Sequence, residues 1–121
     1  MDPLSVVLYQ SNADVAHSLA SSLASHFHSV HVARSSGEIR TTLARYRADV
    51  LVLDLESSPL EDVKSLVKEF PRLNIVCTHR LADEELWAEA LRQGAADMCD
   101  PGRTQDVIRS VAGGRSHHAA A

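Results

Sequence analysis

The side chains able to do chemistry gather at four short stretches, each just after an apolar run. Gln10, Ser11 and Asn12 follow the first. Asp54, Leu55 and Glu56 follow the second, Thr78, His79 and Arg80 the third, and Asp100 and Pro101 the fourth. Asp54 is a carboxylate at the end of a run, able to cap the next helix or bond Ser57 and Ser58. His79 carries the one side chain that titrates near neutral pH, and Arg80 lies beside it. If either faces Asp54, it supplies a standing counter-charge. Gln10 and Asn12 could bond a ligand, but no glycine-rich turn follows them, which argues against a phosphate cradle. No Ser-His-Asp or Cys-His nucleophile set is legible from spacing. His26, His28 and His31 lack a nearby Cys or carboxylate to complete a zinc set, so they are expected on a solvated helix end and an edge strand.

The elements that must place these residues alternate between two periods. Ser5 to Tyr9 is a short apolar run and predicts a buried strand. Val15, Leu19, Leu23 and Phe27 then recur every four residues, the apolar face of a helix that Ser11 or Asn12 can cap. His28 to Ala33 predicts a more polar strand nearer an edge. Ser35 and Glu38 predict a capping box before a helix on Ile39, Leu43 and Tyr46. Val50 to Leu53 is four consecutive aliphatics, expected at the centre of a parallel sheet. Ser58, Pro59 and Glu61 open a third helix with Pro at its first position, and Pro71 ends it. Leu73 to Thr78 predicts the fourth strand. Asp83 opens a helix carrying Leu86, Trp87, Ala90 and Leu91, with Trp87 expected in the core, and Gly94 ends it. Asp97 to Cys99 predicts a fifth strand, and Thr104 caps a last helix on Val107, Ile108 and Val111.

Strand and helix alternate five times. That order predicts an α/β fold: a doubly wound, five-stranded parallel sheet of the flavodoxin-like kind, with right-handed crossovers and helices on both faces. Residues 1–112 form one expected domain, and residues 113–121 lack periodicity and are expected to be a flexible tail. Ligands of such sheets bind beyond the carboxyl ends of the strands, where the four polar stretches fall.

Composition narrows the function classes. The 121 residues are 45% hydrophobic and 23% charged, enough apolar content to argue against disorder. A net charge of -4 argues against nucleic acid as the main partner. No apolar run approaches the ~20 residues of a membrane span. The start lacks a basic stretch followed by an apolar core, so no secretory signal is expected and the cytoplasm is the default. The two cysteines, Cys77 and Cys99, fall on the predicted fourth and fifth strands and are expected to be buried reduced thiols.

Three segments resemble the receiver domain of bacterial two-component response regulators. Ala48-Asp49-Val50-Leu51-Val52-Leu53-Asp54 is similar to that family's third strand, which ends in its phosphoacceptor aspartate. Gly94-Ala95-Ala96-Asp97 is similar to its entry to the fifth strand, and Ser35-Ser36-Gly37-Glu38 to the start of its second helix. The resemblance covers about residues 5 to 112. It implies a signalling module with Asp54 as candidate phosphoacceptor, and a partner face on the fourth helix, fifth strand and fifth helix. Here that face includes Arg92, Gln93, Arg103, Gln105 and Arg109, a partly basic surface.

The departures set the expected function. Where the family holds Mg2+ with an acidic pair, this chain has Gln10 and Ser11. Its switch hydroxyl falls at His79, or at Thr78 with a slip of one residue. Its lysine is replaced by Asp100. Phosphoryl transfer to an aspartate depends on positioning and charge neutralisation. Losing one preorganised electrostatic group typically costs ~3 to 4 kcal/mol of barrier. The chain is therefore expected to be a degenerate receiver, binding Mg2+ weakly if at all, without another cofactor. It is expected to act by protein-protein interaction, with a kinase, a downstream protein or a second copy. No enzymatic activity is expected. The alternatives are a single-domain regulator phosphorylated on Asp54 by a histidine kinase, and a small ligand-binding or enzymatic domain of the same fold.

Overall fold

A computed structural model describes residues 2–81 and 83–120, with side chains followed from residue 3 to residue 113. Ala82 and Ala121 lie outside the described residues. Five strands form one parallel sheet: β1 (Asp2–Tyr9), β2 (Phe27–Val32), β3 (Val50–Asp54), β4 (Asn74–Thr78) and β5 (Asp97–Cys99). Five helices connect and cover them: α1 (Ala13–Ala24), α2 (Ile39–Tyr46), α3 (Leu60–Glu69), α4 (Glu84–Gln93) and α5 (Thr104–Ala120). The strand order is β2-β1-β3-β4-β5, so the winding reverses between β1 and β3. The predicted doubly wound (βα)5 architecture is the observed one.

Alternation along the central strands builds two cores. Val7, Leu51, Leu53, Ile75 and Cys77 face α2, α3 and α4, where they meet Ile39, Leu43, Val63, Leu66 and Ala90. Val6, Leu8, Val50, Val52, Val76 and Cys99 face α1 and α5, meeting Leu19, Leu23, Val107 and Val111. Each fully buried aliphatic contributes roughly 1.5–3 kcal/mol, so these two layers anchor the strand ends. Cys77 pairs in register with Met98, which puts Cys99 on the opposite face of the sheet; both thiols are free and buried.

Several local expectations change. Trp87 is not in the core: it is 47% exposed, and Leu91 one turn on is 46% exposed. The buried residue of α4 is Ala90, so the small side chain faces the sheet and the larger pair lies along the outer flank. Three-residue β5 is too short to cover that flank. The predicted capping box does not form. Ser35 makes no side-chain cap, and the Glu38 carboxylate accepts from the Arg34 N–H at 2.9 Å, across a 3-10 turn at Ser36–Glu38. Pro59 is the N-cap of α3 rather than its first residue, and the Ser58 hydroxyl is buried without a protein partner. The backbone of α5 runs on through Gly113 to Ala120, past the point where the apolar stripe ends at Val111. Among the described residues no helix is long and apolar enough to cross a membrane.

Candidate functional site

The reversal between β1 and β3 opens a crevice at the carboxyl ends of the strands, the place where sheets of this kind bind ligands. β3 delivers Asp54 to its floor, 3% exposed. β1 ends one residue before Gln10, and Asn12 caps α1 by accepting from the N–H groups of Asp14 and Val15 at 2.9 and 3.1 Å. That cap turns the chain so that Ser11 faces Asp54. The parallel register of β3 and β4 sets Thr78 opposite Asp54, with His79 one residue beyond.

Asp54 is held by donors on both oxygens. Oδ2 accepts from the Ser11 N–H at 3.0 Å, the Ser11 hydroxyl at 2.7 Å and the Ser57 hydroxyl at 3.1 Å. Oδ1 accepts from the Glu56 N–H at 2.8 Å. Burial alone raises the pKa of this carboxyl. The hydrogen bonds from Ser11, Glu56 and Ser57 outweigh burial and hold it below the ordinary carboxylate range. Asp54 is thus a buried anion stabilised by neutral donors.

The remaining predicted residues divide clearly. Gln10 is buried, and its amide donates to the Thr78 hydroxyl at 2.8 Å, joining the ends of β1 and β4 beneath the crevice. The proposed direct counter-charge to Asp54 is absent from the hydrogen-bonded contacts of the described residues. His79 Nδ1 accepts from the Leu81 N–H at 3.0 Å, closing its own turn. Arg80 binds Glu56 through Nε at 2.9 Å and its terminal nitrogen at 2.9 Å. That bridge holds Glu56 below the ordinary carboxylate range and raises Arg80, to which Asp54 and Asp100 add a smaller field. Arg80 is therefore near Asp54 yet spoken for, because Glu56 offers a bidentate partner at closer reach. Asp100 accepts from the Gly102 N–H at 2.8 Å, an Asx turn entering α5.

The cations of the second predicted surface are paired with acids. Arg92 pairs with Glu89 at 2.6 Å, and Gln93 donates to the same carboxylate at 3.1 Å. Arg103 and Arg109 both pair with Asp106, at 3.9 and 3.2 Å, and Gln105 is exposed. Each cation has an acid three residues away, but Arg103 and Arg109 share Asp106, so the named residues still carry a positive excess. Beside it, α4, β5 and α5 enclose a cavity of about 510 Å³ walled by Trp87, Met98 and Cys99. Sequence reasoning missed Trp87 and Leu91 as surface residues. The small residue at Ala90 was the available signal, since a helix packed tightly on a sheet buries its small side.

No family model matches the sequence, and neither does any curated protein. Solved structures do match. A response regulator from Thermotoga maritima superposes with a TM-score of 0.83 at 21% identity, over 96% of this chain and 99% of that one. A signal receiver domain of a two-component response regulator from Bacteroides fragilis gives 0.81 at 20% identity, over 91% and 94%. The receiver domain of the Francisella response regulator 1452 gives 0.81 at 18%, over 94% and 98%. At these identities the likeness defines the fold. The chain has the flavodoxin-like fold of response-regulator receiver domains.

Proposed function

We propose that this chain is a receiver-type signalling module that acts by binding a protein partner, with little or no Mg2+-dependent phosphorylation of Asp54. The observation that carries this reading is the set of donors around Asp54. A Mg2+ site is built from carboxylates and water in octahedral geometry. Among the described residues Asp54 is the only buried carboxylate, and the Ser11 N–H and hydroxyl occupy its Oδ2. Gln10 spends its amide N–H on Thr78, and Glu56 is tied to Arg80. As arranged, these residues do not fit the ion. By the family resemblance, Asp100 replaces the lysine that would take up phosphoryl charge. Thr78, buried opposite Asp54, is the better match to the switch position than His79, whose nitrogen is used in its own turn.

The partner surface in this reading is the face of α4, β5 and α5. Trp87 and Leu91 supply exposed apolar area there, and aromatic side chains are the usual anchors of such contacts. The cytoplasm is the compartment this reading requires.

One observation favours the second reading, phosphorylation of Asp54 by a histidine kinase: Asp54 and Thr78 sit side by side at paired strand ends. Intact mass after incubation with acetyl phosphate, with and without Mg2+, separates the two, with Asp54→Asn as the control. No added phosphoryl mass on the wild type is the expected result. A phosphoryl adduct that needs both Mg2+ and Asp54 refutes the proposal.

A further inference from the structure

At the opposite edge of the sheet from that partner face, β2 and α2 flank an open hollow of about 310 Å³ to which the proposed function assigns nothing. We propose that this hollow binds a small phosphorylated sugar, with Arg34 and Arg45 gripping the phosphoryl group and Thr41, Thr42 and Glu38 meeting the sugar hydroxyls.

The two arginines carry the argument. Neither Arg34 nor Arg45 takes part in the ion pairs seen among the described residues at Arg40, Arg80, Arg92, Arg103 and Arg109. Arg34 follows the end of β2, and Arg45 lies in the last turn of α2, so two different elements place a cation on the lining of one hollow. Glu38 is the one acid in the wall. Its Oε2 already accepts from the Arg34 N–H at 2.9 Å, so two cations face one partly committed carboxylate. A guanidinium fork recognises a phosphoryl group through two parallel N–H bonds.

The wall is also ordered in a way that suits a ligand. His31 and Tyr46 stack with centroids 3.4 Å apart and planes 7° from parallel. The Ser29 hydroxyl engages His31 Nε2 at 2.7 Å. Arg45 lies over the Tyr46 ring, 5.5 Å from its centroid, which limits the arginine's freedom before anything binds. The Thr42 hydroxyl donates to the Glu38 carbonyl at 2.7 Å and keeps a lone pair for a ligand O–H. Burial, and secondarily the nearby Arg45 guanidinium, hold His31 below the ordinary imidazole range. The volume sits at the small end for ligand cavities, far larger than one phosphate ion needs and sufficient for a pentose or hexose bearing one.

The test uses the whole chain at low salt, with ribose 5-phosphate and inorganic phosphate as probes, followed by amide and His31 ring resonances. Ribose 5-phosphate is expected to give saturable shifts confined to β2 and α2, and to bind tighter than inorganic phosphate. The pair Arg34→Gln with Arg45→Gln should weaken it about tenfold or more, because both charged contacts are lost. Lys64→Gln on α3 should leave it unchanged, as should Asp54→Asn. No saturable shift up to roughly 20 mM, a weaker affinity than a charged sugar gains from two arginines, overturns the proposal. So do shifts centred on Ser11 and Asp54, equal weakening by Lys64→Gln, or binding of phosphate without ribose 5-phosphate. None of these outcomes depends on whether Asp54 accepts a phosphoryl group.

Discussion

Removing the Ser11 hydroxyl isolates the feature that distinguishes the crevice. In Ser11→Ala the backbone N–H to Asp54 Oδ2 survives, as do the Glu56 and Ser57 donors, so one bond at 2.7 Å is deleted and nothing else. A hydrogen bond to a charged group contributes about 1.5–3 kcal/mol. Ser11 lies at the exposed lip of the crevice, where water replaces part of the lost bond, so the lower end applies. The expected loss is about 1.5 kcal/mol at pH 7, a fall in urea midpoint of roughly 0.5–1.5 M for typical slopes. In an Asp54→Asn background the bond is between neutral groups, and the same substitution should cost about 0.5 kcal/mol. The coupling of about 1 kcal/mol is the quantity to measure, by urea unfolding of the four proteins.

The pH dependence follows from the direction of the Asp54 shift. Its folded pKa is depressed, so its contribution is fully present above the unfolded carboxyl pKa and is lost as pH falls through the lower folded value. The Ser11→Ala deficit should therefore shrink on acidification, below the ordinary carboxylate range. Equal deficits in both backgrounds, or a deficit that is constant down to low pH, would refute the reasoning that Asp54 is a buried anion held by neutral donors.

Three further outcomes are expected. Gly94→Ala should destabilise by about 1–3 kcal/mol on thermal unfolding, since Gly94 has φ +113° and an added Cβ would meet Val67 Cγ2 at 3.0 Å. Burial pushes the Cys77 thiol up to about 12, so iodoacetamide should leave Cys77 unmodified in the native state at pH 8 and alkylate it in urea. Trp87 should be quenched efficiently by acrylamide in the free protein, and Trp87→Ala should change stability by less than about 1 kcal/mol while weakening partner capture.

Much of this was legible because the local patterns are strong. Val50 to Leu53 could only be a buried strand, and the residue after it had to stand at a strand end, which located Asp54. Asn12, Asp83 and Gly94 announced helix ends that the backbone observes. The misses share a cause. Trp87 and Leu91 are one turn apart, and spacing alone does not say which side of a helix meets the sheet. The Ser11 to Asp54 and Gln10 to Thr78 bonds span 43 and 68 residues, so no local window contains them. The ion pairing of Arg103 and Arg109 was within reach, since Asp106 lies three residues from each.

The serine grip on Asp54 has a consequence for how information could pass through such a module. A carboxylate that is left bare until a phosphoryl group arrives records an event, and the record fades when the group is lost. In the proposed reading, a carboxylate satisfied by Ser11, Ser57 and Glu56 from the moment the chain folds would keep no such record. Output would then scale with the number of copies and with whatever else occupies them, and control would move from covalent history to synthesis, turnover and competition for the partner.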